Sequence, residues 1–546
     1  MLHTRRTFLK TGTQLGVAGA TLASLPRPLL AHSNRAIRES PPIEENDHIK
    51  KIAHRALDAA RNAGAKYADV RLAHFRTRKT SRYPDEYEFL NVGVRALVDG
   101  YWGFASSPLW DSEEATQLGR AATEQAKSSK RGLRRDVELA TIAPVREQHW
   151  AMPVQIDPFS VHPDEVIDYL QSLEIYAHHR VSAAGLGINA LVNEATFTRI
   201  EKAVASTDGV YCTQRCYRSH GIFVMSIGGG EEKRKYSATL KSLTPTGVGW
   251  ELYRGQPLRD QIDQVIEETK QDLALPVKPV DVGRYDIAMD AWSVAHLISP
   301  TIGLATELDR ALGYEANSNG TSYLNEPLEM LGTFHVGSPL LTINGNRTDP
   351  GSVATVKWDD EGVEPVPFSI VDKGVLSNFS TTREGAGWLK DYYARQGVTV
   401  RSNGCALGGD DLIGGMHAPL AQAPNMTVVP GAETADFDAV ISSIGNGVAF
   451  KELRFDMDFQ QMNGLASGMT YEVRKGKRSA VLYGGGLLFK SSDLWKNMMR
   501  LGGGSSARRY GVQVMKGEPR QYAFHSVTAV PVMFKDASVI DMLRKA

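Results

Sequence analysis

Fourteen histidines and three cysteines are the residues from which a metal or nucleophilic site would have to be built. Their spacing supplies none of the compact catalytic signatures. No Gly-x-x-x-x-Gly-Lys-Ser/Thr loop is present to cradle a phosphate. No Gly-x-Ser-x-Gly elbow presents a serine nucleophile. Neither Cys-x-x-Cys nor His-Glu-x-x-His occurs, so the strong zinc patterns are missing. His178 and His179 follow Glu174 near a helix end and read as solvated residues. His296, His335, His417 and His525 are scattered through the second half and read as hydrogen-bonded structural histidines. Cys212 and Cys216 could pair or be incidental neighbours. The runs Gly228–Gly230, Gly484–Gly486 and Gly502–Gly504 lack a following Lys and read as turns between strands.

Composition narrows the classes further. The chain has 546 residues, 42% hydrophobic and 23% charged, enough for two to four domains with ample cores. Lys+Arg and Asp+Glu are both 62, so a nucleic-acid binder, with its basic excess, is not expected. Residues Thr4 to Lys10 carry the pair Arg5-Arg6, followed by an uncharged apolar stretch from Gly12 to Leu25 and small residues up to Ala31. That stretch is too short to span a bilayer roughly 30 Å thick. The pattern resembles a bacterial twin-arginine export signal. Its removal would delete Arg5, Arg6, Lys10 and Arg27 and no acid, leaving a slightly acidic chain. The expectation is export to the periplasm or the extracellular space, with no membrane attachment once residues 1–31 are gone.

Stepping along the chain, residues 32–45 read as a linker, and 46–278 as an N-terminal α+β domain. Ile49, Ile52, Ala53, Ala56, Leu57 and Ala60 recur at helical spacing from Asn46 to Ala63. Tyr67–Ala73 and Phe89–Leu97 alternate as strands. Asp99-Gly100 between apolar runs is a tight-turn signal returning into Tyr101–Ala105. Helices are expected over 112–127, 163–177 and 258–272, and Leu275–Pro279 as a linker. Residues 279–546 change character: short apolar segments alternate with Gly, Asn, Asp and Pro turns, and only 293–312 and 491–501 look helical. The fold class is therefore α+β, an N-terminal α/β domain followed by a β-rich, barrel-like C-terminal domain.

An ordered set of phrases carries a resemblance. Ala63–Arg71, Gly93-Val94-Arg95 and Asp99–Ser106 stand in the first half. Glu307–Asn317, Gly320-Thr321-Ser322, Asp359-Asp360-Glu361-Gly362, Asp372–Leu376, Ser402-Asn403-Gly404 and Lys516-Gly517-Glu518-Pro519 follow in the second. Together they resemble the TldD/PmbA family, the modulators of DNA gyrase classed as zinc metallopeptidases. The resemblance implies an N-terminal α/β domain, a β-rich C-terminal domain and pairing of two related chains around a cleft. Its catalytic members carry a His-Glu-x-x-x-His helix running into Glu-x-Asp, with a cysteine near the C-terminus. Aligned on Glu307-Leu308-Asp309, those positions hold Ser299, Pro300 and Leu304, and the cysteine falls at about Val514. The presumed zinc ligands and general base are thus absent, and no catalytic, cofactor-binding or metal residue is assigned.

The resemblance then implies a zinc-free, non-catalytic subunit in peptide proteolysis. Its partner would be a zinc-bearing relative or a second copy of itself, with zinc only in a catalytic partner. Asp309, Arg310, Tyr314 and Glu315 would support the former site or the dimer seam. Two alternatives stand beside it: an active metallopeptidase with displaced ligands, such as His296 with Glu307 or Asp309, and a module that binds extended peptides at a sheet edge.

Overall fold

The computed structural model describes residues 47–129, 137–229, 234–409 and 416–544. The export segment 1–31 and the linker 32–45 lie outside the described residues. The first helix, α1 (Asp47–Asn62), buries Ile49, Ile52, Ala53, Ala56, Leu57 and Ala60, the stripe its spacing predicts. Strands β1 (Tyr67–Thr80), β2 (Asp85–Val98) and β3 (Tyr101–Ser107) follow as a meander. The β2–β3 turn is Asp99-Gly100, with φ of 50° and 84°, the left-handed pair that a two-residue hairpin requires. Helix α2 (Ser112–Ser128) is capped by the Asp111 carboxylate, which accepts from the amides of Glu113 and Glu114. It packs against α1 at Gly119, where an added Cβ would stand 2.3 Å from the Ala56 carbonyl oxygen.

The sheet continues with β4 (Arg146–Ala151), β5 (Gly187–Ser206), β6 (Tyr211–Gly229) and β7 (Arg234–Thr239), in the order β3-β2-β1-β5-β6-β4 with β7 also on β6. Its second layer is α3 (Pro163–Ala183) and α4 (Leu258–Ala274). The strands of this sheet run well beyond the spans read from alternation alone. β1 continues past Ala73 to Thr80 because its polar residues there are buried within the first half: His74 Nδ1 lies 3.3 Å from Glu201, and Arg78 donates to the Pro158 and Val161 carbonyls.

In that half, β9 (Gly283–Met289), β16 (Gly447–Met457), β17 (Asn463–Arg474), β19 (Gly485–Lys490) and β23 (Val532–Asp541) pair in the ring β16-β9-β23-β19-β17, and β17 pairs back onto β16. This closed five-stranded barrel is the barrel-like element the turn-rich sequence implied. β8 (Val277–Pro279) and β18 (Lys477–Tyr483) extend it, and β20 (Met498–Leu501) joins β23. A second sheet runs in the order β12 (Val375–Leu376), β11 (Phe368–Asp372), β10 (Ile343–Asn346), β15 (Asn425–Val428), β22 (Gln521–Ala529) and β21 (Arg508–Lys516). β13 (Ala406–Leu407) pairs with β14 (Leu420–Ala421).

Several local expectations differ from the structure. The segment Leu275–Pro279, read as a linker, contributes β8, which pairs in parallel with β18. The helix expected over 293–312 is instead α5 (Ala291–Ile298), a π-turn at Ser299–Gly303, a 3₁₀ turn at Leu304–Thr306 and one more helical turn at Leu308–Ala311. Short helices at Arg383–Trp388, Lys390–Arg395 and α6 (Phe437–Ile444) stand in the region read as strands and turns. No helix among the described residues is long and apolar enough to cross a membrane.

Candidate functional site

Helix α5 carries the site because it packs against β16, β21 and β22, between the barrel and the second sheet. Asp290 caps it, its carboxylate accepting from the Ser293 amide at 3.0 Å and the Ser293 hydroxyl at 2.5 Å. The helix then meets Pro300, which has no N–H to give to the preceding turn. The backbone widens, and the Leu304 amide donates to the Ser299 carbonyl five residues back. Proline thus converts the end of a regular helix into a π-turn.

The four positions implicated by the resemblance all hold non-ligating side chains. Ser299 is buried, with its hydroxyl 2.9 Å from Nε2 of His525. Burial pushes the His525 imidazole down to about 3, so it is neutral at any physiological pH. Pro300 lies in the π-turn, Leu304 is buried, and Val514 is a half-buried β21 residue packed against the main core. A hydroxyl, a pyrrolidine ring and two hydrocarbon side chains do not fit zinc, whose ligands are thiolates, imidazoles and carboxylates.

Next to them lies a feature that the sequence did not announce. Glu307, Asp309 and Glu315 bring carboxylate oxygens within 4.8 Å of one another, the only such metal-capable group among the described residues. The cation inside it is Lys516. Its ammonium donates to Glu307 Oε2 at 2.8 Å and to the Ala421 carbonyl, and lies 3.2 Å from Glu315 Oε1 and 3.7 Å from Asp309 Oδ1. Both Lys516 and Glu307 are fully buried. The backbone supplies further donors: Ala423 to Glu307, Ala421 to Asp309 and Gly517 to Glu315. Arg310 Nη1 adds a second cation 3.3 Å from Glu315.

Electrostatics sort the three acids. Burial pushes the Glu307 carboxyl up to about 7 against the pull of Lys516, and burial also raises Asp309. Glu315 is desolvated too, but Lys516, Arg310 and the Gly517 amide outweigh that and hold it below the usual carboxylate range. The three acids surrounding Lys516 raise its ammonium despite its burial. The arrangement is a carboxylate cage closed on an internal cation. His296 is not part of it: its Nδ1–H donates to the Trp292 carbonyl at 2.9 Å, and its ring stacks on Trp292. Tyr314 faces elsewhere, donating to Glu384 at 2.7 Å. Cys212 and Cys216 are free buried thiols in separate packing clusters and do not pair with each other.

The phrases of the first half meet those of the second at a buried seam. Arg95 binds Asp69 at 2.6 Å and Glu361 at 2.8 Å, and Lys202 reaches Asp360 at 3.2 Å. Residues 282–540 match the description PmbA/TldA metallopeptidase C-terminal domain. The chain belongs to the TldD/PmbA family. Two metalloproteases are similar to this TldD/PmbA chain. That of Methanocaldococcus jannaschii is 22% identical over 404 residues, covering 71% of this chain and 78% of its own length. That of Synechocystis is 24% identical over 339 residues, covering 60% and 66%. Solved structures share the fold. TldE of Thermococcus kodakarensis has a TM-score of 0.62 at 13% identity, covering 89% of this chain and 99% of its own. Chains named as modulators of DNA gyrase give 0.63 from both Thermotoga maritima (15% identity; 90% and 100%) and Bacteroides thetaiotaomicron (14%; 91% and 99%). The match to the family therefore lacks the family's His-Glu-x-x-x-His at the aligned positions.

Proposed function

We propose that this chain is an exported, zinc-free subunit of a peptide-cleaving assembly, and that it shapes the cleft of a zinc-bearing relative. The observation that carries the reading is the joint replacement at Ser299, Pro300, Leu304 and Val514, beside a carboxylate cage already filled by Lys516. One lost ligand could be supplied by a neighbour. Here the base position is a proline, and the nearest acids are committed to an internal ammonium and to backbone amides. An enclosed proteolytic chamber needs two walls and only one metal centre. Export rests on the Arg5-Arg6 signal and places such an assembly outside the cytoplasm.

Metal content tests the reading. The chain is purified without chelator, alone and co-expressed with a His-Glu-x-x-x-His relative, and assayed by elemental mass spectrometry. The expected outcome is near-zero metal alone and one zinc per co-purified pair. One zinc per chain when alone would overturn it and favour an active metallopeptidase with displaced ligands.

A further inference from the structure

Arg347 is fully buried just after β10, and its Nε, Nη1 and Nη2 all lack a hydrogen-bond partner. Nearly every buried guanidinium is paired, because an uncompensated internal charge is costly. The neighbouring acids are engaged elsewhere. Asp359 accepts from the amides of Glu361, Val363 and Ala406, and Asp360 accepts from Lys202 and the Gly408 amide. The nearby thiols offer no charge, since burial pushes Cys216 up to about 12 and Cys405 up to about 11. Arg71, the other heavily buried arginine of this region, differs: it keeps a hydrogen bond to the His417 carbonyl and has Asp360 at 3.7 Å.

Arg347 lines a cavity of about 70 Å³ between the first sheet and β22. Lys202, Gln214 and Gln422 also line it, together with half-buried Arg218, Tyr522 and Phe524. Gln214 is committed to Trp358 and Lys357, and Arg218 lies over the Phe524 ring. The cavity has room for a few water-sized atoms, the size of one carboxylate group. A planar guanidinium with parallel N–H donors fits a planar carboxylate in a bidentate way.

We propose that Arg347 anchors a carboxylate-binding pocket at the junction of the two sheets, and that a peptide supplies the carboxylate. The second half of that statement rests on the peptide reading above; the pocket itself does not. The source is a peptide C-terminus or an acidic side chain, and both present the same group to the guanidinium.

The test is isothermal titration calorimetry on the full chain at fixed ionic strength. The probes are acetate, trialanine, trialanine amide, N-acetylglutamate amide and inorganic phosphate. Acetate and trialanine should bind saturably at one site, and trialanine amide at least about tenfold more weakly. Equal binding of N-acetylglutamate amide and trialanine would assign an acidic side chain as an equally good source and still support the pocket. Arg347→Met should abolish carboxylate binding while leaving the ligand-free melting temperature at or above wild type, because it removes an unpaired buried charge. Arg347→Lys keeps the charge but loses the fork, and should weaken acetate about tenfold. Should Arg347→Met not fold, the acid-against-amide comparison on wild type and the Arg347→Lys titration decide. No saturable carboxylate binding, binding that survives these substitutions, or phosphate binding tighter than acetate would overturn the proposal. Acetate binding is independent of zinc content, so this result and the metal assay fail separately.

Discussion

The Lys516 ammonium, helped at Glu315 by Arg310, balances three acids that would otherwise repel one another in a dry interior. Removing one partner of such a buried group leaves uncompensated charge, which typically costs about 3–5 kcal/mol. Lys516→Met should therefore lose stability of that order in urea denaturation, whereas substitution of the exposed Lys390 should be near neutral. Glu307 makes a second prediction, in pH. Its folded carboxyl sits at about 7, above its unfolded value. Below pH 4.5 both states hold the proton, so nothing changes. Between 4.5 and 7 the unfolded chain releases it while the folded chain keeps it, so this group's contribution is lost as pH rises through that window. The limiting slope is about 1.4 kcal/mol per pH unit. Urea midpoints at pH 5 and pH 7 should differ less in Glu307→Gln than in wild type, and an unchanged difference would contradict the assignment. Lys516 was visible in sequence as part of Lys516-Gly517-Glu518-Pro519, and Glu307 and Asp309 as part of another phrase. Their meeting was not, because it depends on β21 returning beside the turn after α5, a contact that no local pattern encodes.

At the scale of elements, what the sequence made legible was what hydrophobic period alone determines. Helix α1 and the helices starting at Ser112, Pro163 and Leu258 are amphipathic, and each carries its own stripe. The π-turn after α5 was hidden because nearly all of the segment is buried, its small polar residues Ser293, Ser299 and Thr301 included, so periodicity has little contrast to read. The short helices Arg383–Trp388 and Lys390–Arg395 were hidden because six residues make too few turns to show a period. Close approach between elements is a third feature read poorly from pattern. Gly103 of β3 lies under α2, where a Cβ would stand 1.9 Å from the Ala122 carbonyl oxygen, a backbone atom that cannot rotate away. Gly103→Ala should cost about 1–3 kcal/mol as overpacking, measured by chemical denaturation. Gly185→Ala meets no neighbouring atom, so only its positive φ should cost it stability.

The whole molecule is held together across the seam where the Asp359–Gly362 turn enters the first sheet. Glu361 is the central joint: one oxygen takes Arg95 at 2.8 Å, and the other accepts the Arg383 amide at 2.6 Å. Arg383 in turn reaches Asp208 at 2.7 Å, so the same network ties β1, β2 and the β5–β6 turn to the second half. Because these groups are buried, added salt should leave the seam largely unscreened. Glu361→Gln keeps the shape but leaves Arg95 with Asp69 as its one remaining carboxylate partner, and a loss of about 3 kcal/mol, the low end for a broken buried pair, follows. Hydrogen exchange locates where that loss falls. At about 1.4 kcal/mol per tenfold, amides of β1, β2 and the 359–363 turn should exchange at least about a hundredfold faster. The barrel strands β17 and β19, which contribute nothing to the seam, should keep their protection. Uniform acceleration over the whole chain would mean that the two halves unfold only together. Selective acceleration would mean that the seam is a separate cooperative boundary, the place where this scaffold can open without dismantling the barrel beside α5.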